Sequence, residues 1–133
     1  MRFIPTRIHG FLDYGVGGLL VFAPWLFGFA AGDVETWVPV ILGLGAIGYS
    51  LFTDYELGVV RTIPMTSHLA LDAGSGVILT ASPWFIGCAE LVYLPHLILG
   101  VFEIDAALAT RTVPDVERRP ANDSRARFGR PRM

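Results

Sequence analysis

The sequence predicts an all-α, polytopic membrane protein: four transmembrane helices built from two tandem two-helix repeats, related by a parallel pseudo-twofold axis. Three observations lead there. The 133 residues are 53% hydrophobic and only 17% charged, with a mean hydropathy of +0.53, too apolar for an ordinary soluble domain of this length. All ten basic residues are arginines, and they fall at the N-terminus, at Arg61 and from Arg111 onward. Finally, sliding the chain by 59 positions matches 12 of the 27 residues from 2 to 28.

The elements follow in order. Apolar stretches cover roughly 8–31, 37–52, 67–89 and 91–109. A spanning helix needs about 20 residues, so the first and third are ample, the fourth adequate and the second short. The links between stretches one and two (Asp33, Glu35) and between three and four (Glu90) carry no arginine. Four spans with both termini in the cytoplasm therefore leave every arginine on the positive side. An N-terminal apolar run behind Arg2 and Arg7 also fits a cleaved signal peptide, but its internal twin argues that it is retained.

The matched residues define the unit. Arg2, Ile4, Pro5, His9, Leu12, Asp13, Gly15, Gly17, Leu20, Pro24, Trp25 and Gly28 reappear as Arg61, Ile63, Pro64, His68, Leu71, Asp72, Gly74, Gly76, Leu79, Pro83, Trp84 and Gly87. Each unit is a Pro-containing lead, a long helix, an acidic turn and a second helix. Two spans per unit make both units enter the bilayer from one side, so equivalent residues share a depth. Residues 1–112 form the four-helix domain, with repeat one over about 2–56 and repeat two over about 61–112. The remainder, 113–133, carries six arginines against Asp115, Glu117 and Asp123. It is expected to be a disordered cytoplasmic tail attracted to anionic headgroups.

Pro24 and Pro83 each remove one backbone donor near the outer end of a long helix and free the carbonyl four residues back, at Leu20 and Leu79. Trp25 and Trp84 suit the headgroup level, and Gly28 and Gly87 let the chain leave the helix. Duplicated "APW" and "SPW" behind the "RIHGFLDY" lead resemble the SPW repeat family of small bacterial integral membrane proteins, over residues 2 to about 110. The resemblance implies a two-helix unit and a membrane location, and it supplies no reaction. Ala23 stands where the motif has serine, so no role of the Ser82 hydroxyl is shared by both units.

Few residues carry chemistry. His9 and Asp13, like His68 and Asp72, are four apart and lie on one helix face, about 6 Å from each other. At a shared depth, one to two turns in from the cytoplasmic surface, the two pairs can converge. Three readings compete: hydrogen-bonded glue between helices, a metal site of two imidazoles and two carboxylates suited to zinc or iron, and a proton or ion site with Glu103 and Asp105 as further members. The last is confined to the cytoplasmic half, because the outer half offers only Thr80 and Ser82. Haem between His9 and His68 fits poorly beside the carboxylates. His96 reads as an interfacial histidine and Cys88, the single cysteine, as a small buried apolar residue. "GVGG" and "GLGAIG" lie inside apolar helices and serve close packing, not nucleotide binding.

The sequence thus points to an integral protein of the bacterial cytoplasmic membrane, acting as a structural or interaction component such as an accessory subunit. The alternative is a small carrier, or a proton, ion or metal site, on the paired His and Asp residues. No nucleophile with a positioned base and no phosphate cradle argues for an enzyme. No cofactor and no nucleic acid is expected. The partners are the bilayer and either further copies or a larger membrane complex.

Overall fold

The computed structural model describes residues 1–114, and the predicted basic tail, 113–133, lies from 115 onward outside the described residues. Four helices follow one another: α1 (Thr6–Leu26), α2 (Val34–Leu51), α3 (Met65–Phe85) and α4 (Leu94–Ala109). Among the described residues there is no strand, and two isolated bridges pair Ile4 with Thr110 and Thr53 with Ile63.

The long helices begin and end alike because the repeated residues set both ends. Pro5 and Pro64 hold extended N-cap conformations, and their carbonyls accept the first helical bonds, from the amides of His9 and His68, at 3.1 Å each. At the other end Gly28 and Gly87 take left-handed φ values of 74° and 73°. The next amide then folds back, Phe29 to the Pro24 carbonyl and Cys88 to the Pro83 carbonyl, at 2.8 Å in both cases. This is a Schellman cap, in which glycine reverses the chain and the proline carbonyl closes the helix. The proline of the repeated "PW" thus sits where its missing amide costs one bond while its carbonyl seals the terminus.

Glycines bring the helices of each unit into contact. α1 packs on α2 where Gly17 faces Gly43, and α3 packs on α4 where Gly76 faces Gly100. A Cβ on Gly43 would lie 2.5 Å from the Gly17 carbonyl oxygen, and one on Gly76 2.7 Å from that of Gly100. The two units are then laced together by their leads. Phe3 and Ile4 donate to the Ala109 carbonyl and Arg111 donates back to Ile4; Thr62 and Ile63 donate to the Phe52 carbonyl and Asp54 donates back to Ile63. Each lead is pinned to the last turn of the other unit.

Large apolar side chains face outward while the ionisable His and Asp pairs are buried. Phe11, Phe22, Ile41 and Ile98 are 60–66% exposed, whereas His9 and His68 are at most 1% exposed. By length and composition, α2 alone among the described helices is long and apolar enough to cross a membrane, with a mean hydropathy of 1.4. α1 and α3 fall short because they carry the His and Asp pairs, and α4 has only 16 residues.

Candidate functional site

His9 and Asp13 project from one face of α1, and His68 and Asp72 from the matching face of α3, one to two turns beyond the N-terminal prolines. The four side chains meet in the bundle interior, with Asp13 and Asp72 only 8% and 6% exposed. His9 Nε2 donates to Asp72 Oδ2 at 2.8 Å and lies 3.2 Å from Asp13 Oδ1. His68 Nε2 is 3.0 Å from Asp13 Oδ2 and 3.2 Å from Asp72 Oδ2. Each carboxylate thus touches both imidazoles. One ligand atom can be chosen from each residue so that all four lie within 4.8 Å of one another. The imidazole rings meet edge to face, centroids 5.4 Å apart and planes at 81°.

Two threonines, unnoticed in the sequence, fix the tautomers. The Thr53 hydroxyl donates to the Tyr49 carbonyl at 2.7 Å and lies 2.8 Å from His68 Nδ1. The Thr110 hydroxyl donates to the Ala106 carbonyl at 2.6 Å and lies 2.9 Å from His9 Nδ1. A hydroxyl has one proton, already given to a backbone carbonyl, so each threonine oxygen accepts from Nδ1–H. Both Nε2 atoms are thereby turned inward on the carboxylates. That is the outer-shell device that orients metal-ligating histidines. His68 Nε2, fully buried, makes no aligned hydrogen bond despite its two close oxygens.

Unit one completes the ring with two phenols. Tyr49 donates to Asp72 Oδ1 at 2.5 Å, and Tyr55, in the loop after α2, donates to Asp13 Oδ2 at 3.1 Å. Burial, and then the neighbouring Asp13 carboxylate, pushes the Tyr55 phenol above its ordinary range. Both tyrosines lack a counterpart in unit two.

The other residues singled out from the sequence separate. Glu103 is buried beside the ring, its Oε2 3.1 Å from the Ser75 hydroxyl. Asp105 does not join the cluster: it is exposed, because two residues turn an α-helix by about 200° and carry it to the far face from Glu103. His96, read from the sequence as interfacial, is packed inside the protein. It is 1% exposed, covered by Phe29 at 5.3 Å between ring centroids. Cys88 is a buried free thiol. Trp25 and Trp84 are 57% and 56% exposed beside the two capped termini.

Ser82 has a role that Ala23 cannot share. Its hydroxyl donates to the Leu79 carbonyl at 2.7 Å, the acceptor that Pro83 leaves without its helical amide. The serine of the motif thus repairs the bond its proline breaks.

Chemically, the ring sets two carboxylates against two inward Nε2 atoms in a dry interior, where uncompensated charge is costly. Neutrality comes either from a proton on each Nε2 or from one divalent cation replacing those two protons. Tetrahedral ligands about 2.0–2.2 Å from zinc stand roughly 3.3–3.6 Å apart, so holding a metal would require the close His–Asp pairs to open by a few tenths of an ångström and the widest pair, within 4.8 Å, to close by up to about 1 Å.

No curated protein and no solved structure matches this chain. The model of the SPW repeat domain matches residues 7–110, the stretch that contains both proline–tryptophan caps and all four residues of the ring, and the chain belongs to the SPW repeat family.

Proposed function

We propose that this chain is an integral membrane protein, crossing the bilayer four times with both termini cytoplasmic, whose His9, Asp13, His68 and Asp72 ring holds one divalent cation at the junction of two pseudo-twofold-related units. Several features support the membrane placement. Large apolar side chains cover the outside of the helices while His9, Asp13, His68, Asp72 and Glu103 are buried, and 21-residue α1 and α3 are about 32 Å long, the thickness of a hydrocarbon core. Among the described residues the arginines, Arg2, Arg7, Arg61 and Arg111, lie at the end of the bundle that carries both leads. The cation reading rests on one observation above others: Thr53 and Thr110 commit both Nδ1 atoms as donors, leaving two inward Nε2 atoms and two carboxylates as a preoriented ligand set of charge −2. Zinc and the other borderline divalent ions suit two imidazoles and two carboxylates. Leu20 and Leu79, further along α1 and α3 from the ring, are fully buried and apolar. That fits a cation-stabilised structural or interaction component better than a conduit.

A second reading keeps the ring proton-loaded, as two imidazolium–aspartate pairs that only join the helices. The aligned 2.8 Å bond from His9 to Asp72 favours it. The two part on elemental analysis of the full chain purified in detergent without chelator, then stripped and reloaded with zinc, manganese, iron(II) or cobalt(II). One ion per chain, lost in Asp13→Asn and Asp72→Asn variants that remain folded, is the expected result. Failure of every ion to bind, or to raise the unfolding temperature, refutes the cation reading and leaves the helix-joining one.

A further inference from the structure

Resting on the cation reading, we infer that the centre is open: a cation in the ring keeps a further coordination position, facing Glu103 and occupied by water. The units differ where it matters. With α2 and α4 aligned by the 57-residue offset that relates Thr53 to Thr110 and Gly43 to Gly100, Tyr49 corresponds to Ala106, and Ala46 to Glu103. On the α2/α3 side the Tyr49 phenol fills the space next to the ring and bonds Asp72. On the α1/α4 side a methyl group stands in its place. A cavity remains beside Ala106, lined by His9, Asp13 and Asp72 of the ring, by Glu103 and otherwise by apolar side chains, Phe102 among them.

The size and chemistry of the gap specify its occupant. About 20 Å³ is available to the centre of a water molecule, room for one water, which needs roughly 10–15 Å³. Three ring residues face the gap, so a ligand there reaches a cation they hold. Glu103, 9% exposed and anchored by Ser75, adds a third carboxyl, a hydrogen-bonding partner for bound water. The occupant is thus water or a donor no larger. His68 lies outside the cavity lining, and its inward Nε2, without an aligned partner, supplies the opposing ligand. A closed structural zinc site has four protein ligands and no such gap, whereas a site that keeps an exchangeable water has one. Glu103 is a positioning residue here, acting on the cation through the water.

Cobalt(II) tests this, since four-coordinate cobalt absorbs visible light intensely and five- or six-coordinate cobalt weakly. The stripped full-length protein in detergent is titrated with cobalt(II) alone. The expected result is one ion per chain with weak, five-coordinate bands. Ala106→Leu, which fills the gap, should convert them to intense four-coordinate bands at unchanged stoichiometry. Glu103→Gln should retain the ion and shift the bands. Water-proton relaxation of the manganese(II)-loaded protein should fall in Ala106→Leu, whatever that variant does to stability. Intense four-coordinate bands in the parent, unaltered in both variants, overturn the open position and leave the cation reading intact. No bound cobalt at all overturns the cation reading and this inference with it.

Discussion

If Ser82 exists to repair what Pro83 breaks, its value should vanish when the proline is removed. Leu79 is fully buried and its carbonyl receives the Ser82 hydroxyl at 2.7 Å. Ser82→Ala leaves that acceptor with neither donor. An unsatisfied buried group costs about 1–3 kcal/mol in soluble proteins, but polar bonds in bilayer proteins average only ~0.6 and reach ~1.7 kcal/mol. Helix propensity gives back a few tenths, since alanine is the better helix former. We expect Ser82→Ala to destabilise by about 1 kcal/mol, a drop of roughly 3–6 °C in unfolding temperature for a bundle of this size. In a Pro83→Ala background the restored amide at position 83 takes over the Leu79 carbonyl, so the same serine change should become neutral or mildly favourable. A double-mutant cycle, read by reversible unfolding in mixed micelles, should therefore give a coupling near ~1 kcal/mol. An equal cost of Ser82→Ala in both backgrounds would refute the repair, and Ala23→Ser should stabilise α1 on the same logic.

Three further outcomes follow. Replacing Thr53 or Thr110 with valine frees one Nδ1 from its acceptor, and metal affinity by competition with a chromogenic chelator should weaken roughly 10- to 100-fold, with stoichiometry kept. Gly43→Ala drives a methyl group to 2.5 Å from the Gly17 carbonyl and should destabilise by about 1–3 kcal/mol; Gly15→Ala meets open space and should gain up to ~1 kcal/mol in detergent unfolding. The Tyr55 phenol, raised above its ordinary value by burial and Asp13, contributes stability that is fully present below the unfolded phenol pKa. That contribution is lost as pH rises through the folded value, so Tyr55→Phe should flatten the alkaline limb of a stability profile followed by ultraviolet absorbance.

How much of this could be read from the residues differs from place to place. The ring was visible as two His-x-x-x-Asp pairs 59 positions apart, since helical periodicity puts i and i+4 on one face of each helix. The threonines that orient it were hidden, because they repeat at 57, after a two-residue change in the link, and a threonine at a helix end is ordinary. Tyr49 and Tyr55 have no twin and left no periodic signal. Asp105 was grouped with Glu103 by proximity in sequence, though a helix separates neighbours two apart onto opposite faces. His96 was placed at the interface from its distance along α4, and only the fold of the Phe29 segment over it accounts for its burial. The Pro, Trp and Gly of the outer turn were recognisable by type. Their joint geometry, a proline carbonyl capped by the amide beyond the glycine, required the backbone.

The lacing of each lead to the far unit has a consequence for truncation. Thr110, which steers His9, is separated from it by 101 positions, and the start of the chain finds its backbone partners only in Ala109 and Arg111. A chain ending between Asp72 and Ala109 keeps all four ring residues but leaves His9 Nδ1 and the first lead without these partners. The orientation of His9 therefore waits on the last turn of α4, which ties the start of the chain to the far end of the bundle.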